Sequence, residues 1–186
     1  NSAIWLIVGA FLFSRGFIKT GLGKRIAYNL IAAFGSSSLR LAYALALSDL
    51  ILAPATPSNT ARVGGVIMPI TTSLAKAFGS EPQDGPRKIG SFLMQSIYQV
   101  NTITSAMFQT SMAGNTLVAA LALQSFGIGI TWGDWAMAAI VPGIIALLIM
   151  PYFIYKVYPP EIRDAREAQQ MIREELKGLG KMSFQE

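Results

Sequence analysis

Cysteine and histidine are both absent from the 186 residues. Their absence excludes disulfides, thiolate metal sites, imidazole catalysis, histidine proton relays and the usual zinc ligands. Charge is scarce as well. Only 13% of the residues are Asp, Glu, Lys or Arg, against 52% hydrophobic, where soluble domains carry about 25% charged residues. With a mean hydropathy of +0.45, this balance points to a bilayer. The 15 Lys and Arg outnumber the 10 Asp and Glu, but they stand singly or in pairs between apolar runs. They therefore suit membrane flanks and not a nucleic-acid stripe. Gly-rich phosphate loops, paired catalytic carboxylates and nucleophile–base couples are missing, so no enzyme is expected. The chain begins at Asn1 with an apolar span and without a signal-peptide pattern. We expect it to be a piece of a longer protein.

What is present is a set of apolar runs of unequal length. Ala3 to Ile18 is a slightly short span with Arg15 near its end. In "KTGLGKRIAYNLIAAFG", Leu22, Ile26, Leu30 and Phe34 fall four apart, which predicts an amphipathic helix at the membrane interface. Residues 1–34 thus form a membrane helix plus an interfacial helix. Two arms follow, Leu41 to Pro54 and Val63 to Phe78, each too short to span comfortably. The polar loop "GSEPQDGPRK" leads to a long apolar run, Ile89 to Phe126, interrupted by "QVNTITSAMFQTSMAGN". Trp135 to Tyr158 is a full span, and Trp5, Trp132 and Trp135 read as interfacial anchors. Pro142 is expected to bend its helix. After Pro159 and Pro160, residues 159–186 predict a cytoplasmic amphipathic arm.

The cations fix a topology. Lys19 to Arg25, Lys76 to Lys88 and Lys156 to Lys181 are basic connections, whereas Gly127 to Asp134 has no Lys or Arg. The first three belong in the cytoplasm and the last outside. Between Arg25 and Arg87 the chain must then cross an even number of times or turn back. Short arms and a proline-rich, polar tip favour turning back. The expectation is a re-entrant helical hairpin over 35–79, followed by two transmembrane segments over 80–158, the first unwound near 104–115. The fold class is all-α and polytopic.

The tip, "PATPSNTAR", places irregular backbone at membrane depth, where it survives only packed in protein or lining a cavity. Ser58, Asn59 and Thr60 precede the second arm. One of them suffices as an N-cap. Three, with free amides and the helix dipole, make a carboxylate site. Arg62 adds a fork suited to a carboxylate. Asp49 is an ionisable group inside an apolar arm, and its plainer role is counter-ion to Arg40 or Arg62. In the second element, Gln109, Thr110, Ser111, Gly114 and Asn115 suggest an unwound joint facing a cavity, against the alternative of helix–helix glue.

At these residues the chain resembles the divalent anion:sodium symporter family. "TPSNTA" is similar to that family's Ser-Asn-Thr hairpin motif, and "SMAGN" to its small-residue joint in the next broken helix. "KTGLGKRIA", "LAPATPSNTARVGG", "RKIGSFLM" and "YPPEI" resemble the subgroup of bacterial citrate/succinate antiporters and plastid 2-oxoglutarate/malate translocators. The resemblance implies one half of an inverted-repeat transporter, with a second Ser-Asn-Thr hairpin elsewhere in a longer, homodimeric protein. It implies contact of Ser58, Asn59 and Thr60 with a substrate carboxylate and closure of the cation-side pocket by the joint Ser111 to Asn115. With Arg62 and Thr110 from the residues themselves, the expected substrate-binding set is Ser58, Asn59, Thr60, Arg62, Thr110, Ser111, Ala113, Gly114 and Asn115. The environment implied is a bacterial inner membrane or a plastid inner envelope. Gly114 stands where many relatives carry Pro, and Gln109 and Met112 also depart from the pattern, which argues against a family-type sodium site. Ser58, Asn59 and Ser111 are the residues that would hold one. No other cofactor is expected.

The expected function is exchange of di- or tricarboxylates by alternating access. A fixed guanidinium cannot leave with the substrate, so an empty site would carry an unpaired buried charge through the membrane, costing several kcal/mol. Sodium-coupled symport and a non-transporting membrane scaffold are the competing readings.

Overall fold

The computed structural model describes residues 19–180, together with Val8 and Leu12. The first apolar segment at 3–18, with Trp5 and Arg15, otherwise lies outside the described residues, as does 181–186. Every regular element described is helical, as the apolar runs required: α1 (Leu22–Phe34), α2 (Ser38–Leu52), α3 (Asn59–Arg62), α4 (Met68–Ala77), α5 (Gly90–Met107), α6 (Ala113–Phe126), α7 (Trp132–Val157) and α8 (Arg166–Gly178). A 3-10 turn, Ala53–Ala55, closes α2, and a π-helical stretch, Val63–Ile67, joins α3 to α4. The π stretch carries Gly64 and Gly65, and nothing in the sequence reading anticipated it.

The hairpin is visible in the backbone. Ser38 N–H donates to the Arg163 carbonyl and Ala165 N–H to that of Ser36, so 163–165 pins the start of α2. Glu161 and Ile162 donate to the carbonyls of Arg87 and Lys88, just past the loop that follows α4. One stretch of five residues therefore holds the bases of both arms at the same end. The same end collects the three basic connections, with Arg87 lying over the Tyr158 ring at 4.8 Å. Ser38–Ala55 forms 18 residues of apolar helix, longer than the arm read from Leu41. At 1.5 Å per residue that is about 27 Å, a length comparable to a membrane core of about 30 Å.

Helices α5 and α7 run antiparallel along most of α5. Phe92 meets Tyr155 edge-on at 5.7 Å near one end, and the Trp135 indole donates to the Ala106 carbonyl at 2.9 Å near the other. They close tightly because residue 143 is glycine, where a Cβ would stand 2.5 Å from the Met107 side chain. Helix α7 passes through Pro142 and Pro151 and starts with a capping box, Thr131 with Asp134. Its outer face is bare: Met137, Val141, Ile145, Leu148 and Phe153 are all exposed apolar residues. Helix α6 buries only Asn115 and Ala119 and ends at Gly127, whose φ of 68° suits a residue without a Cβ.

The terminal amphipathic helix is docked and not a free arm. Helix α8 lies antiparallel on α1: Arg25 donates to the Gly180 and Leu179 carbonyls, the Tyr28 hydroxyl to Glu175, and Gln169 and Arg173 to the Ala32 carbonyl. Each helix thus has its last carbonyls capped by cations or amides of the other. Burial and the Glu175 acceptor push the Tyr28 phenol above its ordinary range. This docking also changes the buried face of α1. Ala27, Tyr28, Ile31 and the charged Arg25 are buried, whereas Phe34, on the expected apolar line, is 56% exposed.

Arg25→Ala removes two charge-assisted bonds, each worth about 1.5–3 kcal/mol. The expected outcome is a loss of amide-exchange protection confined to α8 and the end of α1. Unchanged protection in α8 would show that docking does not depend on Arg25.

Candidate functional site: the hairpin tip and the broken helix

The break in the long apolar run falls at 108–112, inside the expected 104–115. Ending a helix there strands carbonyls, and two of the polar residues in the run cap them. The Ser111 hydroxyl lies 2.6 and 2.7 Å from the Ser105 and Phe108 carbonyls, sharing its one proton between them, and Asn115 Nδ2 donates to the same two at 2.7 and 2.9 Å. Thr110 Oγ1 donates to the Pro54 carbonyl of the tip at 2.8 Å and accepts from the Trp132 indole at 3.1 Å. Trp132 also stacks on Phe108 at 5.9 Å. Trp132 and Trp135, read as interfacial anchors, therefore brace the joint.

Arg62 ties the tip to the joint. It is fully buried and among the largest buried side chains. Its Nε meets Asp49 Oδ1 at 2.8 Å; one terminal nitrogen donates to the carbonyls of Thr56 and Ser111, both at 3.2 Å. The other terminal nitrogen reaches Asn101 Oδ1, Thr104 Oγ1 and Ser105 Oγ at 3.1–3.2 Å. Thr104 Oγ1 donates in turn to Asp49 Oδ2, so both carboxylate oxygens are engaged. Of the two counter-ion roles proposed for Asp49, the pair with Arg62 is the one formed. The guanidinium is thus paired without any substrate, and the empty site does not carry the lone buried charge expected of it. Asn101, Thr104 and Ser105 were not singled out from sequence. Their spacing of three and four puts them on one face of α5, and a buried cation in need of acceptors was the signal that could have found them.

At the tip, Ser58 has extended backbone and caps the second arm, its Oγ accepting from Ala61 N–H at 3.2 Å. Asn59 Oδ1 accepts from Thr60 N–H at 2.9 Å. Both side-chain acceptors are therefore occupied by backbone amides. Among the described residues, Asn59 Nδ2 and the amides of Ser58 and Asn59 have no acceptor. Ser58 and Asn59 are half-buried and Thr60 is exposed. The amides of Ala113 and Gly114, which open α6 without a side-chain cap, are likewise without acceptors among the described residues. The candidate residues thus divide. Ser58, Asn59, Ala113 and Gly114 keep amide donors without acceptors among the described residues, Thr60 turns its amide and hydroxyl onto Asn59 Oδ1, and Arg62, Thr110, Ser111 and Asn115 are engaged in holding the two breaks together. No cluster of His, Cys, Asp or Glu suited to a metal occurs among the described residues.

Described residues whose regular elements are all helical, two helices long and apolar enough to cross a membrane, two interrupted segments and free donors at the interruptions define an integral membrane protein of the broken-helix class. Comparison with known proteins makes the assignment specific. Residues 1–186 match the family described as the sodium:sulfate symporter transmembrane region, and the chain belongs to that family. It is 56% identical to the putative malate transporter YflS of Bacillus subtilis over 97% of this chain and 38% of that protein. It is 49% identical to the chloroplastic dicarboxylate transporter 1 of Spinacia oleracea, over 98% of this chain and 32% of that protein. It is 40% identical to the L-tartrate/succinate antiporter of Escherichia coli, over 100% and 38%. The chain thus spans between about a third and two-fifths of the length of these relatives.

The Arg62–Asp49 pair generates a prediction. Arg62→Met or Asp49→Leu alone strands a buried charge and is expected to cost about 3–5 kcal/mol. The double variant should cost clearly less than the sum, because no lone charge remains. Unfolding of the full-length variants in detergent reads the cycle, and simple additivity would show that the two groups are not coupled.

Proposed function

We propose that this chain supplies one half of the substrate site of a secondary transporter for di- and tricarboxylates, with the Ser58–Thr60 tip as the carboxylate contact. The observation that carries the proposal is the imbalance of donors at the tip. Ser58 Oγ and Asn59 Oδ1 each accept a backbone amide, and the amides of Ser58 and Asn59, with Asn59 Nδ2, are left without acceptors among the described residues. A carboxylate is the complement of such a surface, and the N-terminus of the second arm favours its charge. Relatives are named as transporters of malate, dicarboxylates, tartrate and succinate, in accord with this chemistry. The hairpin enters the membrane from the basic end and turns back, and alternating access moves the tip and the joint together, since Arg62 and Thr110 tie them. Ala113 and Gly114 form the other donor edge.

Exchange is the mode we favour over sodium coupling. The six acceptors around Arg62 are all oxygens, the ligand set a small hard cation takes. A side-chain cation already fills that shell and cannot dissociate. At the sodium candidates, Ser58 Oγ and Asn59 Oδ1 each already accept one backbone amide, and the Ser111 hydroxyl is turned onto the carbonyls of the joint. The name of one relative, an antiporter, agrees. Sodium coupling remains the rival reading, since the family description itself names sodium.

The test is counterflow by the full-length protein in vesicles preloaded with unlabelled dicarboxylate. Labelled malate or succinate should enter, and Asn59→Ala should weaken apparent affinity about 10–100-fold, the value of one hydrogen bond to a charged group. Normal transport by that variant would remove the tip from the site, and absence of any carboxylate flux would favour a scaffold. A sodium gradient is expected to drive no accumulation in vesicles lacking internal substrate. Robust accumulation there would select symport.

A further inference from the structure

Arg40, Tyr43, Ala44 and Leu47 share one face of α2. With Ala33 and Phe34 of α1 they line an open groove of about 500 Å³. Past Tyr43 and Leu47 it continues as a hollow of about 150 Å³ between α2 and α7, reaching Leu50, Ile144 and Leu148. One wall is fixed by the Tyr43 hydroxyl, which donates to the Leu148 carbonyl. We propose that this groove binds one phospholipid with an anionic headgroup, its phosphate on Arg40 and an acyl chain laid along α2 toward Leu50.

Three observations identify the occupant. The first is charge placed at one end only. Arg40 is the single charged group of the lining, exposed, and its guanidinium has one contact among the described residues, the Ser36 hydroxyl at 3.2 Å. The nearby acid, Asp164, pairs with Arg166 at 3.1 Å. Arg40 also sits in the first turn of α2, the end of a helix that repels cations and attracts anions. A phosphate there is drawn by both the side chain and the helix end. The second is level: the α2 N-terminus is bonded to 163–165, at the basic end of the molecule. The third is length. From Arg40 to Leu50 is ten helical residues, about 15 Å, which is half of a hydrocarbon core of about 30 Å. The groove therefore matches one leaflet, with its cation at headgroup level. An arginine merely reaching water would need no apolar trough running away from it.

The experiment uses the full-length protein, exchanged in detergent into an equal mixture of phosphatidylglycerol and phosphatidylcholine, with retained lipid read by native mass spectrometry. Wild type should retain phosphatidylglycerol preferentially, one per protomer from this site. Arg40→Gln should lower that preference about tenfold, the effect of losing a charge-assisted bond. Leu47→Trp, at a partly exposed position common to both hollows, should remove the retained lipid of either headgroup while leaving thermal unfolding unchanged. Inorganic phosphate, lacking a chain, should not displace the lipid. The proposal is overturned if wild type shows no headgroup preference or if Arg40→Gln leaves the preference intact. It is equally overturned if Leu47→Trp retains the lipid, as it would were the groove covered by the remainder of the longer chain.

Discussion

Burying a guanidinium is costly unless each N–H finds an acceptor, and the acceptors around Arg62 come from three separate stretches of chain. Asp49 comes from the first arm of the hairpin, Thr56 from its tip, and Asn101, Thr104, Ser105 and Ser111 from the broken helix and its joint. No one of these stretches could satisfy the side chain alone. The tip therefore cannot separate from the joint without stranding a charge in the apolar interior. The positions of the free amides at Ser58 and Asn59 follow from that constraint. The geometry of the site is thus set by a group that itself faces away from open space.

The same economy governs the rest of the polar residues in the apolar runs. Interrupting a membrane helix leaves carbonyls and amides that lipid cannot satisfy; Ser111 and Asn115 answer the carbonyls at the joint, and Ser58 answers an amide at the tip. Hydroxyls and amides that look like a ligand cluster in one dimension are partly consumed by their own backbone. What is left over at the tip leans to donors, since Ser58 Oγ and Asn59 Oδ1 each accept a backbone amide while the amides of Ser58 and Asn59 have no acceptor among the described residues. That asymmetry, more than the number of polar residues, is what suits a carboxylate.

At the opposite end of the hairpin, the basic connections hold the bases of both arms with backbone bonds from 161–165 and lock α8 to α1 through reciprocal capping. The hairpin is consequently anchored at its base by backbone pairing and at its tip by Arg62. Between these anchors, the face of α2 toward α1 and α7 is left as an apolar trough, which is where a lipid fits.

Composition and the spacing of apolar runs determined the all-α membrane class and pointed to two short arms about a polar tip, an interruption within 104–115 and a terminal amphipathic helix, because hydrophobic length and helix-breaking residues act locally and can be read in one dimension. The Ser-Asn-Thr tip was legible for the same reason, since N-capping residues announce a helix start. Tertiary structure alone decided the partner of Arg62, the role of Trp132 and Trp135 as braces of the joint, and the burial of Arg25 under α8. Hydrogen-bond acceptors for a buried cation are chosen by proximity in space. Residues 49, 62 and 104 meet only after the hairpin has folded onto α5, and no pattern along the chain carries that information.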